Sequence, residues 1–344
     1  MHRVARFVAA VWREADGFAR VHFIGFTCLW PLLGLGSTNS TIAPGTAAVV
    51  VLVGVCFHLF GFLLNDVVDL PIDLTQPRRA NDPLVRGVVS TKAVLTLAIV
   101  QVPLAFLVAW RSGADGAALL ALAAAFACMA AYDLFGKRAT NPLVTDFVLG
   151  LSGCAFVIFG ALVGGQELST VSVLTGAYAA AYFFLFNGIH GGMRDMQNDD
   201  ACGARTTGLH LGIRFSNGTL HIPRRASAFC WALQVLLILI ACVIALIPDY
   251  DDGTRTAMLV VSLGAGIVNA LLMHIVLSPD HPRWEEAYRL HLLTLVLALI
   301  AVLAPMMGAR LTVFVLVLFV APMTMIERVP HIVRWLLPWR RADS

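Results

Sequence analysis

The chain has 344 residues; 59% are hydrophobic, only 13% are charged, the mean hydropathy is +0.81 and the net charge is +3. A soluble globular domain carries about 25% charged residues, so this composition excludes one and points to a membrane protein. The small positive charge, spread over many segments, suits anionic lipid headgroups and argues against a nucleic-acid surface.

Residues 1–20 hold Arg3, Arg6, Arg13 and Arg20 and no separate apolar core. They read as an amphipathic cytoplasmic segment with Val4, Phe7, Val8, Val11 and Trp12 on one side, and not as a cleavable signal peptide. Residues 21–330 form the membrane domain. A bilayer-spanning helix needs about 20 mostly apolar residues. Ten segments approach that length: 21–37, 45–64, 93–110, 115–133, 143–164, 170–190, 226–247, 256–277, 290–306 and 310–327. The expected fold class is therefore all-α, a polytopic membrane bundle of nine or ten helices. The first segment is the weakest, because Pro31 and glycines interrupt it. The last two are separated only by Gly308-Ala309-Arg310, which allows a hairpin. Residues 331–344 place Trp335 and Trp339 among Arg334, Arg340 and Arg341, the signature of a basic interfacial tail.

Of the 24 basic residues, all but Arg111, Arg255 and Arg310 fall in segments on one side when the N-terminus is cytoplasmic. That is the positive-inside asymmetry, and it puts both termini in the cytoplasm of a cell-membrane protein. The seven cysteines are odd in number, contain no Cys-x-x-Cys and lie mostly within spans, so they read as small packing residues.

Two acidic clusters carry the chemistry. Asn65, Asp69 and Asp73 recur at steps of four where the second span ends, and Asp195 and Asp199 do the same after the sixth. Residues at i and i+4 share one helix face. Two such faces opposed to each other suit a hard divalent cation such as Mg2+, which takes one or two carboxylates and completes its shell with water and phosphate. Each cluster stands at the equivalent place in a set of four spans. This suggests two four-helix halves related by a parallel repeat, with a site between them. His58 and His190 lie near the motifs without a second histidine at ligand spacing, and read as interhelical hydrogen-bonding groups. Asn187 and Asp146 are polar residues at span ends.

This pattern resembles the UbiA superfamily of intramembrane prenyltransferases. Asn65-x-x-x-Asp69-x-x-x-Asp73 is similar to its first Asp-rich motif, and Asn81-Asp82-Pro83-Leu84-Val85-Arg86-Gly87 to the loop after it. Tyr132 with Lys137-Arg138 resembles the short basic loop of the family. Asp195-x-x-x-Asp199, followed by Gly203, Thr206-Thr207 and Gly212, resembles the second motif. Three features depart from the family pattern. Asp82 replaces a basic residue common in relatives, Pro71 falls inside the first motif where it would kink the helix, and ten segments exceed the usual nine.

The resemblance implies a reaction that begins with loss of diphosphate from an allylic isoprenyl diphosphate. Asp69, Asp73, Asp195 and Asp199 would hold Mg2+. Asn65 would orient the first motif, while Arg79, Lys137, Arg138 and Arg194 would clamp phosphate oxygens. Tyr132 would face the allylic cation, and a small-molecule or lipid acceptor would then take the prenyl group. A membrane-bound terpene cyclase using the same donor is the second reading. A transporter is a third, disfavoured because the span centres carry almost no charged residues.

Overall fold

The computed structural model describes residues 17–38, 42–163, 167–216, 219–278 and 283–336. The expected amphipathic helix before residue 17 and the tail from residue 337 lie outside these residues. The helices are α1 (Ile24–Gly36), α2 (Pro44–Val68), α3 (Leu70–Asp73), α4 (Thr91–Arg111), α5 (Gly116–Phe135), α6 (Pro142–Leu162) and α7 (Thr170–Phe183). A π-helical stretch, Phe184–Gly191, joins α7 to α8 (Gly192–Ala201). Then follow α9 (Thr207–His210), a hairpin of β1 (Arg214–Ser216) and β2 (Thr219–His221), α10 (Arg224–Leu246), α11 (Asp252–Val276) and α12 (Trp284–Leu336).

Local chemistry sets many of the helix starts. Pro44 and Pro142 occupy first-turn positions, where the missing N–H costs nothing. Ser90, Asp115, Asn141 and Ser169 accept hydrogen bonds from first-turn amides of α4, α5, α6 and α7. Among the described residues, eight helical stretches are long and apolar enough to cross a membrane, counted by length and composition. Their outward faces carry exposed Leu, Val and Ile, as lipid contact requires.

Helix α1 has 13 residues, about 20 Å of rise, and all but its first residue are buried. It is a central post held by close backbone approach. A Cβ at Gly34 would fall 2.0 Å from the Val157 carbonyl oxygen, and one at Gly160 would fall 1.8 Å from that of Pro31. Small residues that let backbones approach are the usual device for packing helices in lipid. This explains why α1 reads weakly as a span: it is short and faces protein on all sides.

Helix α12 is two spans. Gly308 has φ 69° and ψ 163°, which is not helical. Before it, Leu292 and Leu295 accept hydrogen bonds from the Tyr182 and Tyr178 hydroxyls of α7. At the kink Met307 packs beside Gly36; after it Leu311 also meets Gly36 and Leu318 lies beside Gly25. Ser37 bonds Ser172 at the start of α7, so α1 and α7 are antiparallel. The first arm of α12 therefore runs away from the motif end and the second returns to it. The ten apolar segments expected from the sequence are all present among the described residues, the last two as this hairpin. In the first half α1 packs on α2 and α2 on α4; in the second α6 packs on α7 and α7 on α10. These repeated pairings match two four-helix halves, with the α12 arms added outside them.

Candidate active site

Both acidic motifs reach one cavity of about 200 Å³ at one end of the bundle. The first motif is broken where the sequence expects a kink. Helix α2 stops at Val68, Asp69 caps it, and Pro71 opens the short α3. The Asp69 amide still donates to the Asn65 carbonyl at 2.8 Å, and that of Asp73 donates to the Asp69 carbonyl at 2.9 Å. The i, i+4 register therefore survives the break, and Asn65, Asp69 and Asp73 all line the cavity.

The second motif follows the π-helical stretch, a feature frequent at functional sites. Here it turns the Asn187 amide to donate to the Tyr132 hydroxyl and, at 3.0 Å, to Asp146. Gly188 makes room for this, because a Cβ there would lie 2.6 Å from Asp146 Oδ2. Asp195 and Asp199 on α8 then face the first motif. The loop after Asp73 is stitched to α8: Gln76 donates to Asp195 at 3.3 Å and Thr75 to Asn198 at 3.4 Å.

Lys137 lies between the motifs. Its Nζ is 3.3 Å from Asp69 Oδ2 and 3.4 Å from Asp199 Oδ1. Burial alone would pull this ammonium down, but Asp69, Asp199 and Asp73 outweigh it and hold its pKa above the usual lysine value. Burial pushes the Asp73 carboxyl up to about 6, against the pull of Arg79. Arg79 lines the cavity, donates to Asp82 at 2.8 Å and lies 3.8 Å from Asp73. Arg194 forks onto its neighbour Asp195 through Nε and Nη2, at 3.1 and 2.6 Å.

Nine of the ten site residues expected from the sequence line this cavity: Asn65, Asp69, Asp73, Arg79, Tyr132, Lys137, Arg194, Asp195 and Asp199. Arg138 does not. It donates to the Val68 carbonyl at 2.9 Å and so ties the basic loop to the end of α2. Arg20 and Asp133 are among the lining residues that the motif reading missed. Arg20, placed in the N-terminal segment, pairs with Asp66, lies 4.7 Å over the Phe62 ring and lines the cavity. Asp133, next to Tyr132, is 5% exposed and has one oxygen with no partner. The histidines behave as expected. His58 bonds Thr27 and the Ala19 carbonyl, while His190 bonds His291, which bonds Gln234.

The donor set fits a divalent cation of the Mg2+ type. Among the described residues no three His, Cys, Asp or Glu side chains form a closed metal cage. The opposed carboxylates are all oxygen donors, however, and Mg2+ asks for only one or two of them before water and phosphate. The ammonium of Lys137 between Asp69 and Asp199 marks where positive charge is stabilised.

The model of the UbiA prenyltransferase family matches residues 25–293. The chain belongs to this family. Solved structures of UbiA homologues share its fold. One from Aeropyrum pernix K1, an apo structure, is 21% identical over 81% of this chain and 97% of its own, with a TM-score of 0.63. One from Archaeoglobus fulgidus, bound to GPP and Mg2+, is 15% identical over 84% and 99%, with a TM-score of 0.62. A digeranylgeranylglyceryl phosphate synthase is 15% identical over 86% and 98%, with a TM-score of 0.65. No curated protein sequence matches. The UbiA fold and its apolar helices make this chain an integral membrane protein.

Proposed function

We propose that this UbiA member is a Mg2+-dependent prenyltransferase that ionises an isoprenyl diphosphate and passes the prenyl group to a small-molecule or lipid acceptor. The observation that carries this reading is a single cavity with four motif aspartates and Lys137 at its mouth and aromatic rings deeper in. Asp69 and Asp73 would hold one cation, Asp195 and Asp199 a second. Mg2+ bound there would neutralise charge on the departing diphosphate.

The chain's own groups do the remaining work. Lys137, Arg79, Arg194 and Arg20 surround the position of the diphosphate and bind its oxygens. As the C1–O bond breaks, the electron pair leaves with the diphosphate. The allylic cation left behind lies against Tyr132 and the phenylalanines below it, whose ring faces stabilise positive charge. The acceptor attacks C1 and loses a proton. The apolar walls exclude water, which would otherwise capture the cation. The positive-inside pattern turns the cavity mouth toward the cytoplasm.

The test is to incubate purified protein with Mg2+ and geranyl, farnesyl or geranylgeranyl diphosphate, with and without candidate acceptors, and to identify products by mass spectrometry. A prenylated acceptor, absent with Asp69→Ala and with Asp195→Ala, supports transfer. A cyclic hydrocarbon or alcohol formed without acceptor would replace it by terpene cyclisation. Turnover unchanged in both variants would sink the two-motif assignment.

A further inference from the structure

The cavity has a floor. Through α3 and then α2 its lining runs from Asp73 and Asp69 down to Phe57, the deepest residue that α2 contributes. Twelve residues separate Asp69 from Phe57, about 18 Å of helix. The Phe57 ring stacks on Phe156 at 4.3 Å and meets Phe126 edge-on at 5.1 Å. Across the cavity, Trp30 lies 5.1 Å from Tyr182 and 5.2 Å from Phe183. Phe156, Trp30 and Tyr182 are at most 2% exposed, so the space below the floor is filled with packed rings.

A diphosphate held at the carboxylates occupies about the first helical turn of that depth, which leaves roughly 12 Å. An isoprene unit adds four carbon–carbon bonds of about 1.5 Å, or roughly 5 Å when extended. Two units fit above Phe57; four do not. Resting on the prenyl-donor reading above, we propose that this site takes a ten-carbon allylic diphosphate and that Phe57, backed by Phe156, sets the limit on donor length. Leu149, 5% exposed on α6, lines the cavity about two helical turns above Phe156 and narrows the approach to that floor.

The experiment is calorimetric titration of the full-length protein in Mg2+ with geranyl, farnesyl and geranylgeranyl diphosphate, and with inorganic pyrophosphate as a reference without a tail. Geranyl diphosphate should bind tightest and geranylgeranyl diphosphate at least about tenfold more weakly. Phe57→Ala should close most of that gap by improving the longer donors, with pyrophosphate affinity unchanged. Phe57→Leu and Leu149→Ala, milder changes, should each close part of it and guard against misfolding of the first variant. Equal affinity of the wild type for ten- and twenty-carbon donors would overturn the length limit while leaving the donor reading intact, since the tail would then leave sideways between helices. Discrimination that survives in Phe57 variants of normal pyrophosphate affinity would overturn the role of Phe57. No binding of any donor or of pyrophosphate would overturn the donor reading, and the limit with it.

Discussion

Asp82 shows how one residue changes meaning between sequence and structure. By motif it looks like the loss of a phosphate ligand. In the fold its carboxylate receives Arg79 at 2.8 Å and holds that guanidinium at the cavity wall. Asp82→Ala should therefore weaken donor binding about three- to tenfold, roughly 1 kcal/mol, and less than Arg79→Ala does. Equal losses would make Arg79 act only through Asp82. Lys137 supports a sharper test. Lys137→Met leaves Asp69 and Asp199 facing each other without a cation, so melting without Mg2+ should fall by several degrees. Added Mg2+ should restore it, giving a larger metal-induced shift than in the wild type. An unchanged shift would remove Lys137 from the metal position. The motif aspartates were legible because i, i+4 spacing is a local property of a helix. Arg20 was not, because its partner Asp66 is 46 residues away and no local spacing connects them.

At the scale of elements, the sequence marks apolar length well and backbone geometry poorly. The span over 170–190 was legible; that its last turns are π-helical was not, since the wider turn is set by contacts from other helices. Those contacts are Asn187 on Tyr132 and Asp146, and His190 on His291. Gly188→Ala should push Asp146 away and release Asn187 from Tyr132. The expected signature is a kcat loss of about tenfold or more with donor affinity kept, because the residues proposed to bind phosphate stand elsewhere. A loss confined to donor affinity would argue against a positioning role for this stretch. Gly160→Leu should act differently: its side chain meets the Pro31 backbone, which cannot yield, and the cost should exceed about 2 kcal/mol in stability. A melting point within error of the wild type would refute the close α1–α6 contact.

At the scale of the whole molecule, charge, topology and site agree on one end of the bundle. Arg111 ends α4, Arg255 lies in the first turn of α11 and Arg310 follows the Gly308 kink, so the three basic residues set apart by the sequence stand at the end away from the cavity. The other end carries Lys92, Lys137, Arg205 and the cavity mouth. Orientation follows if cytoplasmic loops hold the basic excess, and Cys202 makes it measurable. It is exposed, just past α8 and 3.1 Å from the Thr75 hydroxyl, while the other six cysteines are buried or half-buried within or beside spans. A membrane-impermeant maleimide should label Cys202 in inverted membrane vesicles and spare it in intact cells, with Cys202→Ser removing the signal. Labelling in intact cells would turn the cavity outward. On the proposed function the diphosphate enters through that mouth, so the donor would then have to come from outside the cell.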